Sequence, residues 1–470
     1  MSNEETTLEG RGARNDTPGG RGLRNNDAAL DGVTVVEFGG YAAGPAIGKY
    51  LANFGARVIH VESVSRPDGF RLQYPPYKDD RVGLERSGCF AFFNDSKQGV
   101  TIEVKHPAAV SLLYRLIERT DIVIENMRPG VMARLGLGYR ELASRNPALV
   151  MLSTSNLGQT GPRATHPGFG SQLSSLSGFT ELIGAADGPP SCLYGPYIDM
   201  IAVAYGGAAV LAALDRQRRT GQGAFIDLAQ YEAGLQFVAP SLVGFAVTGV
   251  SPRRNGNRDA VAVPHGCYPC RDDRWIAISC WDDEEWTRLA QVMVDSSLAS
   301  DVPKALDPLA RPSAFAQPLR RTRRSLGGGG SASLSPVGGE SWGEGLATAE
   351  GRRAREAALN ESIARWTGDR DASDVAAALH RVNVHAAVVN TMRDLYEDPQ
   401  LAARRTWQRC DHPELGPLRY RMVSYQLSET PGRVRSAAPR LGQHNEDVFR
   451  TWFGLSADEY ADLSAQGVFS

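Results

Sequence analysis

The stretch DGVTVVEFGGYAAGPAIGKYLANFGARVIHVE, residues 31–62, limits the fold more than any other part of the chain. Its apolar run Val33 to Phe38 predicts a buried strand, and the glycine-rich turn that follows predicts a loop. Pro45 suits the first turn of a helix, because the N–H that it lacks would have no partner there. The run ARVIHVE then predicts a second strand, so that the stretch forms a βαβ unit.

The alternation of helix and strand continues along the chain. SLLYRLIERTDIVIENM, residues 111–127, predicts a helix and then a strand, and RNPALVMLSTSN, residues 145–156, predicts a further apolar strand. Strands that alternate with helices indicate an α/β fold with a largely parallel sheet. YPCRDDRWIAISCWDDEEWTRLAQVM, residues 268–293, predicts strand, turn, strand and helix, the start of a smaller α+β lobe. A length of 470 residues agrees with two lobes.

Two segments differ in composition from the rest of the chain. Residues 1–28 are rich in Gly, Arg, Asn and Asp and cannot bury enough apolar surface to order, so we expect a disordered leader. Residues 305–346 are rich in Arg, Ser, Gly and Pro, and the tract SLGGGGSASLSPVGGESWGEG predicts a flexible insertion. The final stretch, NEDVFRTWFGLSADEYADLSAQGVF, predicts a terminal pair of helices.

Charge and cysteine content narrow the class of protein. A net charge of -2 argues against general binding to nucleic acid or to a membrane surface. Six cysteines in so long a chain form no disulfide framework, which suits the reducing cytoplasm. No apolar run is expected to reach transmembrane length, and the N-terminus has no apolar signal segment. We therefore expect a soluble cytoplasmic enzyme.

Three familiar kinds of site have an incomplete motif or a motif in the wrong setting. GGYAAGPAIG does not contain the G-x-G-x-x-G of dinucleotide-binding folds, although a helix N-terminus there could still hold a phosphate. Cys267 and Cys270 form one C-x-x-C beside His265 without the second pair that zinc needs, so we expect no metal. GESWG around Ser341 matches a nucleophile elbow but follows no apolar strand.

One carboxylate stands alone in the apolar stretch LYGPYIDMIAVAYGGAAVLAAL, residues 193–214. Asp199 follows a Gly-Pro turn and precedes a helix of small residues, so we expect it at or near the N-terminus of that helix. There the free N–H groups and the helix dipole favour the ionised form. Asp199 is either an N-cap or a buried carboxylate used in chemistry, and the local sequence leaves both open.

An ordered set of motifs carries a family resemblance. They are AAGPAIGKYLANFGARVIHVE, FFNDSKQGVTIEV, ENMRPGVMARLGLGY, NPALVMLSTSNLGQTGP, YIDMIAVAYGGAAVLAALDRQRRTGQGAFIDLAQYEA and APRLGQHNEDVF. Together they resemble the family III coenzyme A transferases, the CaiB/BaiF group that includes formyl-CoA transferase. The similarity runs from about Leu30 to Phe469, is interrupted by the insertion, and leaves the leader outside.

The resemblance implies an enzyme of the EC 2.8.3 type in which Asp199 is the nucleophile. Its carboxylate attacks an acyl-CoA thioester to give an aspartyl anhydride, and the CoA thiolate then attacks the aspartyl carbonyl to give an aspartyl-CoA thioester. An acceptor carboxylate repeats these steps in reverse. The resemblance implies no prosthetic group and no metal, because CoA and acyl-CoA are substrates.

The resemblance also implies a set of CoA contacts, since the phosphates of CoA need cations. Arg134, in the run ENMRPGVMARLGL, matches a family contact to CoA. Arg71 and Lys97 match an arginine after a Gly-Asp pair and the lysine of an N-x-x-K motif. Each of these residues could instead form a surface salt bridge or belong to the core. The predicted CoA-binding set is Ala42, Ala43, Arg71, Lys97, Asn126, Met127, Arg134 and Leu135.

Several positions depart from the family pattern. Ser63 stands where some members place a CoA-binding arginine, for which Arg66 could substitute. Asn156 replaces a glycine, and the glycine-run loop of formyl-CoA transferase has no counterpart, which disfavours a small oxalate-like substrate. The stretch PHGCYPCRDDRWIAISCWDDEEW is similar to a branch that acts on succinyl-CoA and on bulkier, often aromatic or alicyclic, acids.

Two alternatives to a self-sufficient transferase stay open. The family includes 2-methylacyl-CoA racemases, which use a His-Asp pair where this chain has Phe169 and Gly170. Phenylalanine cannot move a proton, and His166 lies three residues earlier, so the racemase lacks its base here. The chain could also be a CoA-binding subunit of a heteromeric transferase.

The resemblance implies a particular domain order and assembly. Residues 29–245 would form a large Rossmann-like CoA-binding domain, which helices within residues 430–470 complete. Residues 246–429 would form the small domain that contains the insertion. Two chains would interlock as threaded rings in a homodimer, or pair with a related subunit, and no nucleic-acid or membrane partner is expected.

Overall fold

The computed structural model describes residues 28–294 and 344–470. Nearly all of the predicted leader, most of the predicted insertion and Ser341 lie outside those ranges. The chain divides into two compact units. The first unit comprises Met1–Leu173, Pro196–Gly234 and Arg405–Ser470, and the second comprises Ser174–Gly195 and Leu235–Arg404.

Six parallel strands form the main sheet of the first unit. They are β1 Thr34–Phe38, β2 Arg57–Glu62, β3 Gln98–Thr101, β4 Ile122–Glu125, β5 Val150–Ser155 and β6 Ala224–Ala229. Their order across the sheet is β3-β2-β1-β4-β5-β6. Every residue of β1, β4 and β5 is buried, as expected for a parallel sheet that is covered on both faces. This sheet confirms the predicted α/β class.

Helices separate most of the strands in the part of the chain that the structure describes. In chain order they are α1 Ala43–Asn53, α2 Gly69–Leu72, α3 Gly88–Asn94, α4 Pro107–Ile117, α5 Val131–Arg134, α6 Tyr139–Arg145, α7 Gly170–Leu176, α8 Phe179–Leu182, α9 Tyr197–Thr220, α10 Gln230–Leu235, α11 Ala239–Thr248, α12 Asp283–Val294, α13 Ala349–Ala354, α14 Glu356–Gly368, α15 Ala372–Arg381, α16 Met392–Glu397, α17 Pro399–Ala403 and α18 Ala457–Ala465. A short π-helix spans Asp447–Trp452.

Helix α9 packs against α1, β5 and β6 in the first unit. A Cβ on Gly206 of α9 would lie 2.5 Å from Cδ1 of Ile47 on α1, so the absence of a side chain at position 206 permits the two helices to approach closely. By length and hydropathy α9 could cross a bilayer, and the expectation that no run reaches that length was wrong. A helix packed in a protein core passes the same test, and the contacts of α9 with α1 and the sheet are of that kind.

A separate antiparallel sheet lies in the second unit. Its strands are β7 His265–Pro269, β8 Trp275–Ser279 and β9 His385–Val388, with β8 in the middle. Leu289 of α12, Ile363 of α14 and Leu379 of α15 are fully buried in the core that this sheet helps to form. The predicted succession of strand, turn, strand and helix is therefore present, and the mixed α/β character of the chain is confirmed.

The carboxyl-terminal segment of the first unit, from Arg405 onward, forms a hairpin of β10 Trp407–His412 and β11 Gly416–Arg421 and then covers the outer edge of β3. The N–H of His444 donates to the Gly99 carbonyl at 2.9 Å, and the N–H of Thr101 donates to Asn445 Oδ1 at 2.8 Å. These bonds satisfy backbone groups that an edge strand would otherwise expose.

A buried group of charges lies beneath the loop that follows β1. Oε1 of Glu37 lies 2.7 Å from Nζ of Lys97 and 2.6 Å from Nδ1 of His60. Burial alone would raise the pKa of Glu37, but Lys97 and His60 lower that pKa to about 2. Lys97 also donates to the Pro45 carbonyl and to Oδ1 of Asn94, which uses all three of its protons. One ammonium group thus ties β1 to α1 and α3.

We expect the substitution Glu37→Gln to lower the free energy of unfolding by about 3–5 kcal/mol, because Lys97 would keep a buried charge without its counter-ion. Urea unfolding at neutral pH measures this loss. Glu459→Gln is the control, since it breaks an exposed ion pair with Arg115 and should cost less than about 1 kcal/mol. Equal losses of unfolding free energy in the two variants would contradict the role of Glu37 as the buried counter-ion of Lys97.

Candidate active site

The loop between β1 and α1 is held against the end of β4. Asn126, directly after β4, accepts from the N–H of Gly40 at 3.1 Å and donates to its carbonyl at 2.7 Å. Gly39 has a φ of 117°, and a Cβ there would lie 1.9 Å from Asn126 Oδ1. Both features require glycine at that position. β1 and β4 flank the point at which the strand order reverses, where parallel sheets bind ligands.

Asp199 lies in the first turn of α9. Pro196 occupies the N-cap position and no side chain caps this helix, so the N-cap interpretation of Asp199 is wrong. The side chain is half-buried as a whole, but Oδ2 is fully buried and has no hydrogen-bond partner. Burial raises the pKa of Asp199 to about 6. A buried carboxylate oxygen without a hydrogen-bond partner is uncommon, and this setting makes Asp199 a candidate for the chemistry.

Gly170, the first residue of α7, packs against this carboxylate. A Cβ on Gly170 would lie 2.9 Å from Oδ2 of Asp199 and 3.0 Å from Cα of Pro196. The residue beside the carboxylate therefore brings no titratable group, and neighbouring Phe169 and His166 are both exposed. The arrangement does not supply the base that a racemase would need at this place.

Four of the predicted CoA contacts follow β4 in the chain. Asn126 and Met127 are half-buried, and the Met127 N–H donates to Oε2 of Glu125 at 2.8 Å. Arg134 ends α5 and is exposed, and its side chain makes no hydrogen bond or ion pair within residues 28–294 and 344–470. Leu135 is half-buried against the core on the α4 side of the sheet. Arg134 is thus a cation that is available to a phosphate.

Ala42 and Ala43 lie at the start of α1, and both are buried. Their side chains offer only methyl groups, so a contact with a phosphate would come from the free N–H groups of the first helical turn. The first turn of α1 carries no acidic residue that would repel an anion. The site therefore combines the N-terminus of α1 with the end of β4. Asn126, which hydrogen-bonds both backbone groups of Gly40, lies between them.

Arg71 and Lys97 lie inside the fold, and their contact with CoA stays a prediction. Arg71 is fully buried, and two of its donors bind Glu62 at 2.8 Å each. Its other donors bind Glu85 and the carbonyls of Leu84 and Pro439, so all five are used. The ammonium group of Lys97 likewise donates all three of its protons within the protein. In this structure both cations hold the protein itself together.

Sequence reasoning did not single out Tyr41 or Glu125, which lie beside these residues. Tyr41 has a φ of 62°, and its N–H donates to Oδ1 of Asp68 at 2.9 Å. Burial raises the pKa of Glu125 to about 7. An acidic residue at the end of the apolar strand IVIE was the available signal for Glu125. Nothing in the local sequence indicates the backbone strain at Tyr41.

The residues considered for zinc do not converge. Cys270 is buried while Cys267, on the same strand region, is exposed. In the part of the chain that the structure describes, no group of three His, Cys, Asp or Glu side chains is placed to hold a metal ion. Ser63, which replaces a family arginine, is buried, and its Oγ accepts from the N–H of Arg66 at 3.1 Å. Arg66 itself is exposed.

Comparisons with known proteins give the family of this chain. Residues 30–317 and 332–445 match CoA-transferase family III. A succinyl-CoA–D-citramalate CoA-transferase of Chloroflexus aurantiacus is 31% identical over 440 residues, which cover 93% of this chain and 98% of that protein. The alpha subunit of a succinyl-CoA–L-malate CoA-transferase of the same organism is 28% identical over 451 residues, or 95% of this chain and 94% of that subunit. A solved CaiB/BaiF family protein from Brucella suis has a TM-score of 0.74 and 27% identity, and the match covers 91% of this chain and all of that one.

The family match and these relatives define an enzyme that transfers coenzyme A between acids, with CoA thioesters as substrates. The chain belongs to CoA-transferase family III, which confirms the resemblance carried by its motifs. The predicted enzyme class, a CoA-transferase of the EC 2.8.3 type, is confirmed as well.

The setting of Asp199 makes stability depend on pH. Its folded pKa of about 6 lies above the ordinary 3.8, so the folded protein loses stability as pH rises from about 4 through 6. We expect Asp199→Asn to be more stable than the parent at pH 8, by up to about 3 kcal/mol, with no difference near pH 4. Urea unfolding of both proteins at pH 4 and pH 8 measures this difference in stability.

The matched control is Asp187→Asn, because Asp187 is an exposed aspartate of the second unit. This variant should change stability little at either pH. A gain for Asp199→Asn that is the same at pH 4 and pH 8 would show that the carboxylate is not destabilised by burial.

Proposed function

We propose that this enzyme moves CoA from an acyl-CoA donor to a carboxylic acid through covalent intermediates on Asp199. The observation that carries the proposal is the buried Oδ2 of Asp199, which has no hydrogen-bond partner and faces the bare backbone of Gly170. Most buried carboxylates are paired or hydrogen-bonded, because an isolated one is costly. An oxygen left unpaired in a space kept open by glycine suits a nucleophile.

The proposed reaction begins when Oδ2 attacks the thioester carbonyl of the donor. The C–S bond breaks, CoA leaves as a thiolate, and a mixed anhydride joins the acyl group to Asp199. The thiolate then attacks the aspartyl carbonyl, the anhydride C–O bond breaks, and the donor acid leaves as a carboxylate. Asp199 now carries CoA as a thioester. The acceptor carboxylate reverses these steps, and no proton is gained or lost.

The first turn of α9 supports this chemistry. The N-terminal N–H groups of a helix of 24 residues have no intrahelical acceptors and carry partial positive charge. Groups of this kind stabilise the oxyanion that forms when either carbonyl is attacked. Since the anhydride and the thioester hydrolyse readily, the burial of Oδ2 also favours transfer over hydrolysis. With a pKa of about 6, Asp199 is mostly ionised at neutral pH and ready to attack.

We propose that CoA binds across the reversal of strand order at the ends of β1 and β4. Arg134 would pair with a phosphate, because it is exposed and has no partner within the described ranges. Arg71 and Lys97 would contribute indirectly. Their buried hydrogen bonds hold in place the strands whose ends form the pocket. The proposed pocket consists of Ala42, Ala43, Asn126, Met127, Arg134 and Leu135.

The relatives suggest a donor. The citramalate enzyme and both subunits of the L-malate enzyme have succinyl-CoA in their names, so we propose succinyl-CoA as a donor for this chain. The L-malate enzyme also has an alpha and a beta subunit, both related to this chain. That observation favours a second candidate function, in which this chain is a subunit that is active only in a complex with a related chain.

The covalent step can be tested by mass spectrometry of the intact protein mixed with succinyl-CoA, acetyl-CoA or phenylacetyl-CoA. We expect a CoA or acyl adduct that hydroxylamine removes, peptide mapping that assigns it to Asp199, and no adduct in Asp199→Asn. Because the nucleophile is a carboxylate, hydroxylamine should leave a hydroxamate there. An adduct on another residue would contradict the mechanism. An adduct that forms only when a related chain is co-purified would support the second candidate, a subunit of a heteromeric transferase.

Arg134→Gln provides a second arm of the same experiment. It should form the same adduct but need about tenfold more acyl-CoA, because a charge-assisted contact with a phosphate is lost. Arg140→Gln is the matched control, since Arg140 is also exposed and lies six residues further on. Equal effects of the two substitutions would show that Arg134 acts only through the general charge of the protein.

We also propose that the enzyme is an interlocked homodimer of the cytoplasm. Helix α11 has no buried residue and exposes Leu242, Val243 and Phe245, a surface that suits a second copy of the chain. All six cysteines are free thiols, which suits a reducing compartment. Sedimentation equilibrium should give twice the chain mass of 50.7 kDa. Val243→Glu should shift that mass towards the monomer, and a monomeric parent protein would contradict the proposal.

A further inference from the structure

The loop between β1 and α1 presents three consecutive backbone donors that the protein itself does not use. The N–H groups of Ala42, Ala43 and Gly44 donate to no acceptor within residues 28–294 and 344–470, although all three residues are buried. Buried backbone N–H groups are nearly always paired, so three unpaired groups in a row are uncommon. They start a helix of 11 residues, where such groups bind anionic or carbonyl oxygens. We call residues 40–44 the donor loop.

Two side chains from different strands hold the donor loop. Asn126, after β4, hydrogen-bonds both backbone groups of Gly40. Asp68, after β2, accepts from the N–H of Tyr41 at Oδ1 over 2.9 Å. Gly40 also packs against Asp68, since a Cβ on Gly40 would lie 2.8 Å from Cγ of Asp68. Asp68 thus fixes the residue that immediately precedes the free donors.

Tyr41 needs such a partner because its backbone is strained. Its φ of 62° lies in the left-handed region, which is costly for a residue with a side chain and persists only where the surroundings impose it. A different φ at Tyr41 would rotate the chain that leads into α1, and the free N–H groups would then point elsewhere. The hydroxyl of Tyr41 donates to Oε1 of Gln73 at 2.6 Å, so the side chain is held as well as the backbone.

Asp68 is itself held by a chain of buried hydrogen bonds. Its Oδ1 also accepts from the N–H of Phe70 at 2.8 Å, and its own N–H donates to Oε1 of Glu62 at 2.9 Å. Arg71 donates to both oxygens of Glu62 at 2.8 Å each. The chain therefore runs from Arg71 through Glu62 and Asp68 to the donor loop, and it gives Asp68 one position.

The contact with Tyr41 uses one oxygen of Asp68 and needs no charge. Oδ2 of Asp68 has no hydrogen-bond partner within the described ranges and lies 3.9 Å from Nε2 of His60, which has none there either. Burial raises the pKa of Asp68, so its negative charge is costly in this place. An amide at position 68 would keep the Oδ1 acceptor and could donate from Nδ2 towards His60.

We propose that Asp68 is a positioning residue for CoA, which holds Tyr41 and thereby directs the free N–H groups of Ala42, Ala43 and Gly44 towards an oxygen of the bound CoA. The inference rests on the proposed function, since it takes the start of α1 as part of the CoA pocket. The side chain of Asp68 is fully buried, so it acts through the donor loop and not by contact with CoA.

Calorimetric binding of free CoA to the full-length protein tests this role without chemistry. We expect Asp68→Ala to weaken CoA binding about tenfold, because Tyr41 loses its acceptor and the free donors lose their alignment. Asp68→Asn should bind CoA within about threefold of the parent protein, since its amide oxygen still accepts from the Tyr41 N–H. An equal loss of affinity in the two variants would overturn a role through the hydrogen bond.

Gly40→Ala gives a second test that leaves the carboxylate in the protein. The added Cβ would displace Asp68 from the donor loop, so CoA affinity should fall as it does in Asp68→Ala. This variant also serves if Asp68→Ala does not fold. Unchanged CoA affinity in Gly40→Ala would overturn the proposal.

The matched control is Asp121→Ala. Asp121 also accepts from a backbone N–H, that of Thr34 at 2.8 Å, but at the opposite end of β1. It should lower the free energy of unfolding and leave CoA affinity unchanged. If Asp68→Ala behaves in the same way, with lower stability and the CoA affinity of the parent, Asp68 has a role in stability alone and the proposal is wrong.

Failure of the proposed function gives a different result. If no acyl-CoA modifies Asp199 but Asp68→Ala still weakens CoA binding, the covalent mechanism is wrong and the positioning role stands. If the adduct forms on Asp199 while Asp68→Ala binds CoA as tightly as the parent, the mechanism stands and the positioning role is wrong. A parent protein that does not bind CoA would reject both.

Discussion

The ion pair between Glu37 and Lys97 is the constraint on which the first unit depends. It places opposite charges 2.7 Å apart in the interior, where neither can reach water. Each partner is worth little to the fold without the other, since a single buried charge is strongly unfavourable. Lys97 also holds the carbonyl of Pro45 in α1, so the helix that starts the candidate CoA pocket is fixed from beneath. The strained backbone of Tyr41 lies in the loop between β1 and α1, and Lys97 contacts both ends of that loop through Glu37 and Pro45.

The candidate site shows the opposite treatment of a buried carboxylate. Glu37 is neutralised and has a pKa of about 2, whereas Asp199 is left unpaired and has a pKa of about 6. Burial raises the pKa of both carboxyl groups, and Lys97 and His60 reverse its effect only at Glu37, so the difference comes from their neighbours. At Asp199 the neighbours are the helix N-terminus and the backbone of Gly170. The burial of Asp199 without a counter-ion therefore costs the folded protein some stability at neutral pH.

Much of the fold followed from the sequence, because strands and helices are encoded by neighbouring residues. The strand predicted from Val33 to Phe38 is β1 Thr34–Phe38, and Asp199 lies in the first helical turn as expected. The roles of Arg71 and Lys97 within the fold could not be predicted, since their partners lie elsewhere in the chain: Glu37 is 60 residues from Lys97.

The covering of β3 by the carboxyl-terminal segment has a consequence for synthesis. The acceptor of the Thr101 N–H is Asn445, which is 344 residues later in the chain and is therefore synthesised much later. At the usual rate of translation this interval is roughly 20–70 s, far longer than local helices and hairpins need to form. A nascent chain therefore carries an unpaired edge strand, open to wrong partners, until the residues around Asn445 have been synthesised. Its successful production depends on whatever shields that edge in the meantime.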